Sequence, residues 1–64
     1  MSNEHDLHPE RETAEQLRIS HETLRVWRRN GTGPKSFRVG RRVMYRQADI
    51  DTFINEAYDQ AGVN

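Results

Sequence analysis

Three zones of apolar spacing run along the chain. Ala14 and Leu17, and again Leu24 and Trp27, are apolar pairs three residues apart, and the run stops before a glycine. From Phe37 to Tyr45 apolar residues alternate with polar ones, and at Ile50, Phe53, Ile54 and Ala57 they return to the i, i+3, i+4, i+7 spacing of a helix face. The pattern predicts helix, helix, hairpin, helix. Apart from Met1, the first ten residues hold one large aliphatic side chain, Leu7, followed by Pro9. A flexible acidic tail over residues 1–11 and a domain over 12–61 are therefore expected.

The stretch Ser20–Asn30 is the best defined. Ser20 is a favourable N-cap and Gly31 a favourable helix stop. At about 100° per residue, Ser20, Thr23, Leu24 and Trp27 share one side, while Glu22, Arg25 and Arg29 share the opposite one. His21, Val26 and Arg28 fall on the flanks. Such a helix docks through Leu24 and Trp27 and offers its arginines outward.

Upstream, Thr13-Ala14-Glu15-Gln16 matches a capping box, which predicts a short helix from Ala14 to Arg18 with Ala14 and Leu17 inward. Ile19 then starts a tight turn into Ser20, which is helix-turn-helix geometry. Downstream, Gly31-Thr32-Gly33-Pro34 breaks the chain. In the hairpin, a three-residue loop Gly40-Arg41-Arg42 would pair Val39 with Val43 and Phe37 with Tyr45. All four would then lie on one buried face, which favours that register over a two-residue loop. The last helix should start near Gln47, with Asp49 and Asp51 at the positive end of its dipole, and end by Gly62.

Charge changes the picture. The formal net charge of the 64 residues is zero, but the charges are sorted. Residues 1–17 carry five acids against Arg11, net −4. Residues 18–46 carry nine cations against Glu22, net +8. Residues 47–64 carry four acids and no cation, net −4. Eight of the nine central cations are arginine, the residue suited to bidentate recognition of phosphate and guanine edges, so nucleic acid is the natural partner.

Other chemistries find little support. The chain has no cysteine, which removes disulfides, thiolate metal sites and a cysteine nucleophile. His5 and His8 are three apart, but Pro9 opposes a helix that would align them on a metal, so no metal or cofactor is expected. His21 has no serine, cysteine or metal constellation around it, and an enzyme is not expected. No apolar run reaches the roughly 18 residues of a membrane span, and the start is acidic rather than signal-like, so a cytoplasmic, nucleoid-associated protein is expected.

The residues Thr13-Ala14-Glu15-Gln16-Leu17, Ile19-Ser20, Thr23-Leu24, Trp27, Gly31, Val39-Gly40-Arg41, Tyr45-Arg46, Asp49-Ile50 and Phe53-Ile54 follow the order and spacing of a known family. Over about residues 12–55 the chain resembles the small winged helix-turn-helix domains of the excisionase and AlpA-like regulators, related to the MerR DNA-binding domain. It departs from them at Arg28, where they more often carry an apolar residue. The resemblance implies an α+β winged helix-turn-helix whose second helix enters the major groove of double-stranded DNA and whose wing reaches the minor groove.

On that basis Ser20, His21, Glu22, Arg25, Val26, Arg28 and Arg29 are candidate contacts on the second helix, with Arg25 nearer the bases and Arg29 on phosphate. Arg41 and Arg42 are candidates at the wing tip, and Lys35, Arg38 and Arg46 supporting phosphate contacts. Trp27, Phe37 and Tyr45 are assigned to packing rather than base stacking. The resemblance further implies an excisionase-like recombination directionality factor that bends DNA and assists an integrase. A small AlpA-type transcriptional regulator is the alternative, and a protein-interaction module with a basic face is a third. One short helix and one wing read few base pairs, so a monomer that associates cooperatively head-to-tail on DNA is expected, its acidic third helix facing the basic wing or loop of a neighbouring copy.

Overall fold

Ser20 opens the central helix as its chemistry requires. Its Oγ accepts from the Thr23 backbone N–H at 3.0 Å and donates to Thr23 Oγ1 at 2.8 Å. Gly31 closes the helix in the left-handed region at φ 78°, and the Thr32 N–H returns to the Trp27 carbonyl at 2.9 Å. The computed structural model describes residues 6–62 and has the order β1 (Leu7–Pro9), α1 (Glu10–Leu17), α2 (His21–Asn30), β2 (Phe37–Val39), β3 (Arg42–Arg46) and α3 (Gln47–Gly62). The helices and a three-stranded antiparallel sheet of order β1-β3-β2 make a mixed α+β fold, compatible with a small winged helix-turn-helix.

The N-terminal segment corrects the expected tail. Residues 1–5, with His5, lie outside the described residues, but Leu7–Pro9 pairs with β3 through Leu7↔Arg46, His8↔Tyr45 and Pro9↔Met44. Pro9 lacks a backbone N–H and is tolerated because β1 is an edge strand and Pro9 its last residue. Pro9 is also the N-cap of α1, so the helix begins at Glu10 and the expected capping box does not form. Thr13 is fully buried inside the helix, and its hydroxyl donates to the Pro9 carbonyl at 3.1 Å. Glu10 and Glu12 fill the first turn, where carboxylates favour the helix dipole.

The turn between α1 and α2 is Arg18–Ser20. Arg18 takes the left-handed conformation at φ 61°, with its N–H on the Glu15 carbonyl at 3.1 Å and the Ile19 N–H on the Ala14 carbonyl at 3.0 Å. A glycine would adopt this shape freely; an arginine there costs on the order of 1 kcal/mol.

The hairpin register is also corrected. Val39 pairs with Arg42, Arg38 with Val43 and Phe37 with Met44, so the loop is the two residues Gly40 and Arg41. Gly40 takes φ 64° at the first loop position, as a type II′ turn needs. With β1 on the other edge of β3, the inner face is supplied by Tyr45 and Val43 of β3 alone. Phe37 and Val39 are released to the outer face, 38% and 47% exposed.

The core is Ala14, Leu24, Tyr45 and Ile50, with Leu17, Ile19, Trp27 and Val43 packed against it. Trp27 is half-buried and meets Phe53 with ring centroids 5.6 Å apart. Gln16 and Gln47 exchange side-chain amide hydrogen bonds at 2.9 and 3.0 Å, tying α1 to α3. The apolar face expected along α3 is used only at its start, for Ile50 is buried and Phe53 half-buried, whereas Ile54 and Tyr58 are 42% and 76% exposed.

Candidate nucleic-acid interface

Because Leu24 is locked in the core and Trp27 leans on Phe53, the opposite side of α2 faces solvent with Glu22, Arg25, Val26 and Arg29 all exposed. Arg25 Nη1 lies 3.5 Å from Glu22 Oε1, a surface pair that is worth little and readily exchanged for another anion. Ser20 is exposed at the start of the same helix, its hydroxyl engaged in the cap.

The N-terminus of α2 and the turn end of the hairpin face one another. His21 and Arg42 line a shared open groove of about 460 Å³ with Pro9, Glu10, Arg11, Glu12 and Val43. Arg41 stands exposed in the turn beside it, and Arg38 is exposed on β2. Arg11 was hidden among acidic neighbours in sequence, yet it joins His21 and Arg42 on this groove. Lys35 and Arg46 are brought together elsewhere, on a second groove of about 260 Å³ with Phe37 and Asp49.

Two further candidates are tied to Glu10. Arg28 is half-buried, and its Nε donates to Glu10 Oε2 at 2.7 Å. His21 Nε2 lies 3.3 Å from Glu10 Oε1. Tyr45, fully buried, donates its hydroxyl to Glu10 Oε2 at 3.2 Å. One carboxylate, in a residue 9% exposed, thus gathers α1, both ends of α2 and β3. The Arg28–Glu10 ion pair ties the start of α1 to the last turn of α2.

The electrostatics agree with the geometry. Burial pushes the Glu10 carboxyl up, but the hydrogen bonds from Arg28 and His21 outweigh it and hold the carboxyl below its usual range. The Glu10 hydrogen bond raises the Arg28 guanidinium against the opposing effect of burial. Burial, reinforced by the Glu10 charge, pushes the Tyr45 phenol up to about 12.

Among the described residues no group of three or more His, Cys, Asp and Glu side chains is arranged to hold a metal ion, and no helix is long and apolar enough to cross a membrane. His8 sits on a strand, its Nδ1 3.3 Å from Glu12 Oε1.

Neither the curated proteins nor the solved structures yield a match. The profile of the helix-turn-helix domain does match, over residues 11–58, three-quarters of the chain and every element from α1 through most of α3. With the capped α2, the three-residue turn before it and the sheet beside it, that extent of match shows that the chain belongs to the helix-turn-helix domain family, the family of the small excisionase- and AlpA-like proteins, whose fold is a DNA-binding unit.

Proposed function

We propose that this chain binds double-stranded DNA sequence-specifically, with the outer face of α2 in the major groove and the Gly40-Arg41 turn against the neighbouring backbone or minor groove. The observation that carries this is the solvent-facing row Glu22, Arg25, Val26 and Arg29 on a helix whose other side is anchored by Leu24. His21 and Arg42 flank the groove between helix and turn, so a backbone crossing there would meet cations from both elements. Ser20 and Arg38 fit phosphate contacts, while Arg28 acts by fixing α2 through Glu10. The role that fits best is an excisionase-like recombination directionality factor that bends its site and assists an integrase. A small AlpA-type regulator would use the same contacts on undistorted DNA.

The test is titration of a duplex, selected from a random library by the protein itself, at increasing salt. With about five phosphates neutralised, log K should fall against log salt with a slope near −4 to −5. A salt-independent affinity rejects DNA binding. Bending of the bound duplex and stimulation of excision by a co-supplied integrase support the directionality role, and straight DNA at saturation supports the regulator.

A further inference from the structure

Two of the three large apolar side chains of α2 turn inward, Leu24 fully buried and Trp27 half-buried against Phe53. Val26 is the exception. It is 37% exposed and belongs neither to the core nor to the half-buried side chains packed against it. Helix stability does not account for a valine there, since alanine and the straight-chain residues form an exposed turn more readily. A β-branched side chain in a helix holds essentially one rotamer, so Val26 presents a fixed apolar knob.

Its neighbours on the helix surface indicate what it faces. Arg25 and Arg29, four residues apart, form one row, and Glu22 and Val26, also four apart, form a second beside it. His21, tied to Glu10, marks the hairpin side of α2, and the arginine row lies next to it with the Glu22–Val26 row beyond. Arginines serve phosphate and guanine edges alike. The second row serves neither, because a carboxylate is repelled by phosphate and a valine has no donor to offer. With Arg25 Nη1 3.5 Å from Glu22 Oε1 to offset its charge, this row suits pyrimidine edges on the groove floor. There an acceptor-only carboxylate matches the cytosine amine, and the apolar group within reach of Val26 is the C5-methyl of thymine.

We infer that Val26 reads a thymine methyl and is a specificity-determining residue of the α2 face. This rests on the duplex-DNA reading proposed above and names one chemical feature that the bound site must carry, a 5-methylpyrimidine beneath the middle of α2. The contact joins two apolar groups, so it selects sequence without adding to the salt dependence, which the phosphate contacts set. It separates thymine from cytosine, and also from uracil, which differs from thymine by that methyl alone. One methyl placed against Val26 corresponds to a preference of about three- to tenfold.

The test starts from a duplex that the wild-type protein selects from a random library. Each thymine of that site is replaced in turn by deoxyuridine, which removes the C5-methyl and leaves every donor and acceptor in place, and wild type and Val26→Ala are titrated on each duplex. Val26 lies outside the core and alanine favours the helix, so the variant should melt as wild type does. Wild type should lose about three- to tenfold in affinity at one thymine and less than about twofold at the others. Val26→Ala should bind the unmodified site more weakly than wild type by that same factor, keep the wild-type salt slope, and be indifferent to uracil at that position, closing a double-mutant cycle between side chain and methyl. A selected site without thymine, a uracil series that leaves wild-type affinity level, or a Val26→Ala protein that keeps the full uracil penalty overturns the assignment while leaving DNA binding intact. Wild type that selects no duplex overturns the functional proposal and the role of Val26 together.

Discussion

Arg28 Nε meets Glu10 Oε2 at 2.7 Å, joining the first residue of α1 to the last turn of α2. The same carboxylate oxygen accepts from Tyr45, so the helix that carries the proposed DNA contacts and the strand behind the hairpin are referenced to one atom. Arg28→Met keeps most of the apolar stem and removes the charge. It leaves a buried carboxylate short of its strongest partner, and the cost should be about 2–3 kcal/mol, somewhat below that of a fully buried pair because Arg28 is partly solvated. Glu10→Gln combined with Arg28→Met should recover part of the loss. Urea unfolding of the two single variants and the double variant gives the coupling directly, and additive losses would show that the pair does not act as a unit.

The same network sets a pH window. The Glu10 carboxyl lies below its ordinary value of 4.5 in the folded protein, so its contribution is present above that value and is lost as pH falls through the lowered one. Tyr45 lies above its ordinary 10.0, at about 12, so its contribution is complete below 10 and is lost as pH rises toward 12. Stability from these two groups should be flat between the two limits and fall outside both. In Arg28→Met, burial acts on Glu10 with less opposition, and the acid limb should move to higher pH. Thermal melts from pH 3 to 11 check this, and an unshifted acid limb would show that Arg28 does not hold the carboxylate down.

What was legible in the sequence was what apolar spacing and capping chemistry encode. Ser20, Leu24, Trp27 and Gly31 bounded and oriented α2, and Gln47 to Gly62 marked α3. The missed strand β1 is held by polar groups. Nothing in the spacing of Leu7, His8 and Pro9 announces a strand, because the segment is anchored by Glu10 on Arg28, His21 and Tyr45, eleven to thirty-five residues away. The hairpin register failed on β2 alone: Val43 and Tyr45 turn inward as alternation implied, but the two-residue Gly40-Arg41 turn pairs Val39 with Arg42 and leaves Phe37 and Val39 on the outer face. Of the candidate contacts, Arg25 and Arg29 stand on the outward face their spacing implied, whereas Arg28 was legible only as a departure from the resembled pattern.

Trp27 and Gly33 form a second tight relationship. A Cβ on Gly33 would lie 3.1 Å from Trp27 Cε3, and Gly33 sits at φ +80°. Gly33→Ala should therefore destabilise by about 1–2 kcal/mol, through strain and displacement of the ring. Trp27→Ala should cost about 3 kcal/mol, at the lower end for a tryptophan because the ring is half-buried, and a domain this small has little more to lose. Circular dichroism melts at fixed pH separate the two. A Gly33→Ala protein as stable as wild type would show that the loop yields around the ring.

Arg25 and Arg41 should respond differently to the same truncation. Arg25 projects from the outer face of α2 about one turn from its N-terminus, where a helix inserted in the major groove meets base edges, and its only internal partner among the described contacts is the exposed Glu22 at 3.5 Å. Arg41 stands in a two-residue turn, where it can follow a phosphate or a narrow groove but has no helix to hold it in register with one base. Arg25→Ala should lower affinity for the selected site by about 1–3 kcal/mol while sparing random duplex, so the specificity ratio falls. Arg41→Ala should weaken both duplexes alike and reduce the salt slope by about one unit. Glu22→Gln, which frees Arg25 from its surface pair, should raise random-duplex affinity slightly by removing a like charge from the DNA. Parallel titrations of selected and random duplex at two salt concentrations resolve these outcomes. Equal losses on both duplexes for Arg25→Ala would place that side chain on phosphate and move base reading to another residue of the α2 face.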